Sequence, residues 1–259
     1  VLWVTIGTVF FAGVHDFGAL WASSRHKGKS IGALSEDVIG KRTRALFMVV
    51  IFLVLLMVNA VFGVVIAGAF VNTPNAVFPA WSAIAVALVI GQLIHRNVNL
   101  TLLSIVGVTA LYFSIYAGSL MPIELPANMF GLTPNANWII ILFAYAAIAS
   151  MLPVWVLLQP RDFINGLQLF VGLFLLYGAV LLTLPDISAP AFNNNMAEDA
   201  PSLVPLLFVT IACGAVSGFH GIVASGTSSK QLDKETDARF VGYFAALGEG
   251  SLALITIVA

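Results

Sequence analysis

The sequence predicts an all-α fold, a polytopic bundle of about eight transmembrane helices. Hydrophobic residues make up 60% of the chain and charged residues only 9%, whereas an ordinary soluble domain carries about 25% charged residues. So few charges cannot cover a soluble surface, so lipid must solvate most of the chain. The apolar residues fall into eight runs: 1–22, 46–71, 79–95, 99–120, 136–158, 163–185, 203–226 and 241–259.

Each run approaches the roughly 20 residues that cross about 30 Å of hydrocarbon. Backbone polar groups in lipid must be satisfied internally, so only helices and closed barrels span a membrane. The runs are too long and too evenly apolar for barrel strands, and we therefore interpret them as helices.

The basic residues alternate between successive connections, which supports this count of spans. All eleven lie in the first, third, fifth and seventh connections. They are Arg25, Lys27, Lys29, Lys41, Arg42, Arg44, Arg96, Arg161, Lys230, Lys234 and Arg239. The positive-inside rule places these connections in the cytoplasm. The polar connection at 185–201 is then an outer loop, and the first connection is expected to contain a short surface helix.

Composition also limits the possible partners and cofactors. The net charge of -1 gives no reason to expect nucleic acid. The single cysteine, Cys213, allows no disulfide within the chain and no cysteine-based metal site. No motif for a nucleotide, a metal or another cofactor is present. Because both ends lie in apolar runs, we expect residues 1–259 to be one incomplete transmembrane transport domain, with helices missing at both ends.

Three ionisable residues lie inside predicted spans, where charge is costly and often functional. Asp16, His220 and Glu249 each lie about 12–15 Å from the cytoplasmic boundary, at about 1.5 Å per helical residue. They could therefore share one layer and carry or sense a coupling proton or cation. The alternative is a purely structural role. His15 points about 100° away from Asp16 on a helix, so the two are not expected to share a face.

Two further features indicate a substrate site. Pro153 interrupts the fifth run between Ser150 and Trp155. A break there would expose backbone groups to a substrate, as in broken transporter helices, although a simple kink is equally compatible. The seventh run has a small or polar stripe that contains Ser217 and Ser225, and its Gly214 and Gly218 form a GxxxG pair. The stripe and Gly218 could bind substrate, or these residues could serve helix packing alone.

Three segments together resemble one known family. The segments AGVHDFGALWASSRHKGKSIG (12–32), LPVWVLLQPRDF (152–163) and PLLFVTIACGAVSGFHGIVASGTSSKQL (205–232) are similar to the carbon starvation protein A (CstA) family. The resemblance implies a bacterial inner-membrane uptake system for peptides or, as in close relatives, for pyruvate with protons. Gln also occurs in the family at the position of His15, so this residue is not expected to be essential.

The family is in turn similar to LeuT-like transporters, which contain two inverted repeats. By that resemblance, the first, fifth and seventh runs would be the second, sixth and eighth core helices. The sixth is usually the broken one, and the eighth often helps to hold the coupling ion.

The leading hypothesis is a cation-coupled symporter for a small organic anion or a short peptide, working in the lipid bilayer. A homo-oligomer is compatible with this hypothesis. Substrate would bind between Pro153 and the seventh run. One alternative is an intramembrane hydrolase, for which Asp16, His220 and Ser217 would form a tight triad. Another is a membrane subunit of a proton-translocating complex, which would need charges midway along several helices.

Overall fold

The computed structural model describes residues 1–126, 129–186 and 202–258, and all regular structure within these ranges is helical. The chain divides into two compact units. The first unit comprises residues 1–52 and 175–259, and the second comprises residues 53–174. The predicted outer loop at 185–201 lies almost entirely outside the described residues. The prediction of an all-α fold is confirmed.

Eleven helices follow one another along the described residues. In chain order they are α1 Leu2–Arg25, α2 Ile31–Val38, α3 Lys41–Asn72, α4 Pro74–His95, α5 Leu100–Leu120, α6 Pro134–Met151, α7 Leu158–Thr183, α8 Phe208–Thr210, α9 Ala212–Ala215, α10 Gly218–Ala224 and α11 Asp237–Val258. A π-helical turn, Thr8–Ala12, lies inside α1, and another, Leu203–Leu207, precedes α8.

Seven of these helices, α1, α3 to α7 and α11, are long and apolar enough to cross a membrane. They correspond to seven of the eight predicted spans. Helix α3 buries only 6% of its most apolar stretch, and α7 buries 0% of its own. Surfaces of this size and apolarity are stable only in lipid. The prediction of a multi-pass membrane protein is therefore confirmed.

Glycines bring α1 and α11 into close contact within the first unit. A Cβ placed on Gly242 would lie 2.7 Å from the backbone nitrogen of Phe17, and one placed on Gly13 would overlap the ring of Tyr243. Small residues allow helix backbones to approach in lipid, where dispersion replaces the hydrophobic effect as the main attraction. This contact positions Asp16 on α1 beside Gly242, in the first turns of α11.

The seventh predicted span, residues 203–226, is not one continuous helix. Helix α9 ends at Ala215, and α10 begins at Gly218 after Ser217, whose φ of 49° is left-handed. The prediction of a stripe along one helix face is therefore wrong for this run. Gly214 and Gly218 lie on opposite sides of the break and form no shared packing face. Glycine and serine are poor helix formers, which allows the chain to break here.

The second unit is built on an α4–α5 hairpin. Its core contains Ala87, Ile90, Leu103, Leu111 and Ile164, each at most 3% exposed. A second cluster on α3, α4 and α6 contains Ala67, Phe70, Val77 and Trp138. The ring of Trp138 meets the ring of Phe70 edge-on, with 5.0 Å between centroids.

The predicted break at Pro153 is instead the end of a helix. Helix α6 ends at Met151, Leu152 is extended with φ −81° and ψ 144°, and α7 begins at Leu158. A proline disfavours helical conformation in the residue before it. The fifth span is therefore shorter than predicted, and Arg161 and Asp162 lie in the first turns of α7.

The contact between α1 and α11 predicts an asymmetric response to alanine substitution. Gly242→Ala should destabilise the full-length protein by about 1–3 kcal/mol, because its methyl group would push against backbone that cannot rotate away. On the same helix, a Cβ placed on Gly248 would have no neighbouring atom within 4 Å. Gly248→Ala should therefore be neutral or stabilising by up to about 1 kcal/mol. Thermal unfolding in detergent would measure both, and equal midpoints would contradict the expected difference.

Candidate functional site

Three ionisable side chains from α1, α10 and α11 meet inside the first unit. His220 Nδ1 lies 3.2 Å from Asp16 Oδ2, and His220 Nε2 lies 3.1 Å from Glu249 Oε2. We call Asp16, His220 and Glu249 the carboxylate–histidine cluster. The prediction that these residues share one layer is confirmed, whereas their role in coupling remains a prediction.

The geometry of His220 limits where protons can reside. A neutral imidazole carries one N–H and can donate to only one carboxylate. Both contacts of His220 are hydrogen bonds at once only if the ring carries two protons or if one of the carboxyl groups is protonated. The cluster therefore holds one more proton when both contacts are intact than when His220 is neutral and both carboxylates are charged.

Asp16 is the most deeply buried member of the cluster, with a side chain that is only 4% exposed. Its Oδ1 lies 2.8 Å from His15 Nδ1, although the direction of the ring nitrogen is not that of a hydrogen bond, and Oδ1 accepts none from the described residues. The prediction that His15 and Asp16 point apart is thus wrong. Both side chains are long enough to bend toward each other from neighbouring positions.

His15 also contacts the broken helix. Its Nε2 lies 2.5 Å from the carbonyl oxygen of Val216, the residue just before the left-handed Ser217. A helix that ends inside a membrane leaves carbonyl groups without backbone donors, and these need other partners. When Nε2 carries the proton, His15 donates to Val216 and caps the end of α9.

Ser217 connects the break to the third member of the cluster. Its hydroxyl lies 2.7 Å from the carbonyl oxygen of Cys213 and also makes a short contact to Glu249 Oε2. The same carboxylate oxygen faces His220 Nε2. The break and the carboxylate–histidine cluster therefore form one network that runs from His15 to Ser217.

The cluster also borders a partly open cavity. Asp16 and His220 line a space of about 170 Å³ that continues past Leu20 and Ala224 to Ser228. Ser228 lies in a connection that the basic residues place in the cytoplasm. The cavity therefore extends from the cluster toward the predicted cytoplasmic side.

The predicted substrate residues of the seventh run lie at different points. Ser217 belongs to the network, and Gly218 begins α10 beside open space. Ser225 is 2% exposed, and its hydroxyl oxygen accepts from the backbone nitrogen of Ile31 at 3.1 Å. The described contacts of Ser225 are thus with backbone that joins α10 to α2.

The other predicted substrate residues lie in the second unit. The Ser150 hydroxyl donates to the carbonyl oxygen of Ala147 at 2.7 Å within α6. Pro153 begins the turn after α6, and the ring of Trp155 stacks on His95 with 4.8 Å between centroids. A substrate-binding role for these three residues remains a prediction.

The members of the cluster contact one another. The ring nitrogens of His220 face the carboxylates and do not converge with them on a common point. The portion of the chain that the structure describes contains no group of three or more His, Cys, Asp or Glu placed to hold a metal ion.

The sequence interpretation missed the contacts of His15 and Ser217 within this network. It assumed one ideal helix through residues 203–226 and ideal side-chain directions at residues 15 and 16. The available signal was the high density of glycine and serine from Gly214 to Gly221, which indicates a segment that can leave helical geometry.

The contact between His15 and Val216 predicts that removing the imidazole makes the C-terminal end of α9 more mobile. Labelling of Cys213, two residues before α9 ends, by a maleimide would report this in full-length protein whose only cysteine is Cys213. His15→Ala should increase the labelling rate several-fold, since α9 loses its capping donor. His15→Gln keeps an N–H donor and should label nearly as the unmodified protein does. Equal rates for the two variants would contradict the capping role.

Comparison with known proteins gives a consistent family assignment. The chain is 34% identical to the peptide transporter CstA of Campylobacter jejuni, with 100% of this chain and 38% of that protein covered. It is 35% identical to the pyruvate/proton symporter BtsT of Escherichia coli, with 100% and 37% covered. It is 33% identical to the peptide transporter CstA of Mycobacterium tuberculosis, with 99% and 35% covered.

The chain thus spans well under half the length of these curated relatives. No solved structure matches it. The family described as carbon starvation protein CstA matches residues 1–259, so the chain belongs to the carbon starvation protein CstA family.

Proposed function

We propose that this chain forms part of a proton-coupled secondary transporter of the bacterial inner membrane, with short peptides or small carboxylates such as pyruvate as substrates. The names of the relatives support this substrate range, and their description as transporters supports a protein that is not an enzyme. The apolar helices and the distribution of basic residues support an inner-membrane location with the basic connections in the cytoplasm.

One observation carries the proposal, namely the placement of His220 between Asp16 and Glu249. Histidine changes charge near neutral pH. A site for a transported proton must bind and release that proton within the physiological pH range. A carboxylate on each side allows the proton to be shared among three groups, so that neither imidazole nor carboxylate is left unpaired in a medium of low dielectric constant.

The network offers a route from proton binding to conformational change. His15 and Ser217 contact both the cluster and the break between α9 and α10. Gain or loss of a proton at His220 changes the hydrogen bonds available to Asp16 and Glu249. These changes reach His15 and Ser217, which contact the residues at the break. We place the conformational step of alternating access at this break.

The cavity beside Asp16 and His220 would form the cytoplasmic end of the proton route. It begins at Asp16 and His220 and extends toward Ser228. Water in such a cavity could receive a proton from the cluster. Within the first unit, the substrate would contact Ser217 and Gly218, which lie at the break beside the cluster. Ser225 and, in the second unit, Ser150, Pro153 and Trp155 stay candidates that the sequence predicts.

The hydrolase alternative requires a specific order of contacts. A serine nucleophile must donate its proton to a histidine that a carboxylate orients. Asp16, His220 and Ser217 are close in space, which is the arrangement that the alternative needs. However, the described hydrogen bonds of the Ser217 hydroxyl go to Cys213 and Glu249, and not to His220. This order favours proton coupling over nucleophilic catalysis.

Replacement of His220 tests the proposal. Full-length protein in proteoliposomes should accumulate labelled pyruvate or a labelled dipeptide when an inward proton gradient is applied. His220→Ala should abolish the gradient-driven accumulation, because the two carboxylates lose the cation between them. Transport of neither substrate, with or without a gradient, would refute the function, and unchanged pH-dependent uptake by His220→Ala would remove the residue from the mechanism.

Glu249→Gln separates proton coupling from substrate binding. The amide fills the same space as the carboxylate and can contact Ser217 and His220. It cannot, however, bind or release a proton at physiological pH. We expect gradient-driven accumulation to fall at least about tenfold, in line with the loss of one positioned acid–base group. Exchange of internal for external substrate should persist. Glu235→Gln, which neutralises an exposed carboxylate paired with Arg25, is the matched control, and equal effects in both variants would count against the assignment.

A further inference from the structure

A basic cavity lies between two loops of the first unit, at the end of α1 and after α10. Its volume is about 460 Å³, and its lining includes Lys27, Lys29, Lys230, Ser30 and Thr227. No carboxylate side chain is among the lining residues. The positive-inside rule places both loops on the cytoplasmic side.

Hydrogen bonds hold the two loops in fixed positions. The Ser23 hydroxyl lies 2.7 Å from the Ser229 hydroxyl, and the backbone N–H of Gly226 donates to Ser23 Oγ at 3.1 Å. Ser23 is 0% exposed and Ser229 is 8% exposed. The walls of the cavity are therefore set by buried contacts, which makes the cavity a preformed site.

Close packing also directs one of the lysines. Gly28 has a φ of 72°, and a Cβ placed on it would lie 2.6 Å from Cγ of Lys230. The aliphatic stem of Lys230 thus lies directly against Gly28, a position that only glycine accommodates. This contact holds Lys230 beside the loop that carries Lys27 and Lys29.

The lysines differ in their charge partners. Lys29 Nζ lies 2.6 Å from Asp37 Oδ2, and the Lys29 ammonium holds the pKa of the Asp37 carboxyl below its usual range. Asp37 therefore stays charged near neutral pH and balances Lys29. Within the described residues, no carboxylate pairs with Lys27 or Lys230. Two like charges at one cavity repel each other unless an anion lies between them.

We propose that this cavity binds a phosphate group. Phosphate is a multivalent acceptor that several lysine ammonium groups can contact at once. The hydroxyls of Ser30 and Thr227 supply further donors, and the N-terminus of α2, which Ser30 caps, adds a favourable potential. Two sources supply such a group: an anionic lipid headgroup, since basic sites on the cytoplasmic side attract such lipids, and a soluble phosphate compound.

A bound phosphate would connect the two loops. One loop follows α1, which carries Asp16, and the other follows α10, which carries His220. The ligand would therefore replace repulsion between Lys27 and Lys230 by a bridge, and would stabilise the folded first unit.

The test uses full-length protein in nanodiscs and compares two double variants. Lys27→Gln with Lys230→Gln removes the two lysines of the cavity that lack an acidic partner. Lys41→Gln with Arg42→Gln removes the same charge from exposed residues outside the cavity. One arm measures retention of phosphatidylglycerol by native mass spectrometry. The other uses phosphatidylcholine alone and measures thermal stabilisation by inorganic phosphate, with chloride at equal ionic strength as reference.

We expect binding in at least one arm to fall by about tenfold or more in the cavity variant, because each lost ammonium removes a charge-assisted contact, and to persist in the control variant. Loss confined to the lipid arm identifies a headgroup, and loss in the phosphate arm identifies a soluble ligand. Equal binding by both double variants, equal loss in both, or no binding by the unmodified protein would overturn the proposal. The readouts do not depend on transport, so they stand apart from the proposed function.

Discussion

An imidazole between two carboxylates is the interaction on which the first unit depends. His220 reaches Asp16 on one side and Glu249 on the other, and these residues come from three different helices. Removing any of them would leave charge in a low-dielectric environment without its counterpart, which is far more costly than losing an exposed ion pair. The cluster is thus both a chemical site and the polar centre about which α1, α10 and α11 are arranged.

Most of the fold follows from composition and charge alone. Runs of apolar residues and alternating basic connections predicted all seven long helices, because lipid requires both length and apolarity. The same reasoning could not locate breaks. Pro153 was assigned a mid-helix break, yet it ends α6, whereas the real break at Ser217 has no proline. Hydropathy indicates whether a segment lies in lipid or in water, and it carries no information about backbone dihedral angles.

The residues of the site could be predicted where their depth in the membrane was enough to select them. Asp16, His220 and Glu249 were selected because each lies about equally far from a basic connection, and the structure brings them together. The contacts of His15 and Ser217 depend on departures from ideal helical geometry. Such departures arise from tertiary packing, and the glycines and serines from Gly214 to Gly221 indicate only that the segment can leave helical geometry. The roles of Ser150, Pro153 and Trp155 in substrate binding, and the LeuT-like arrangement, stay predictions.

The close approach of Gly242 to Phe17 has a consequence for how the protein can move. Closely packed backbones resist sliding and rotation of one helix against the other, so the contact at Gly242 favours movement of α1 and α11 together. His220 lies on the separate short helix α10, which follows the break at Val216 and Ser217. In the proposed transporter, a change at this break would move the imidazole relative to both acids.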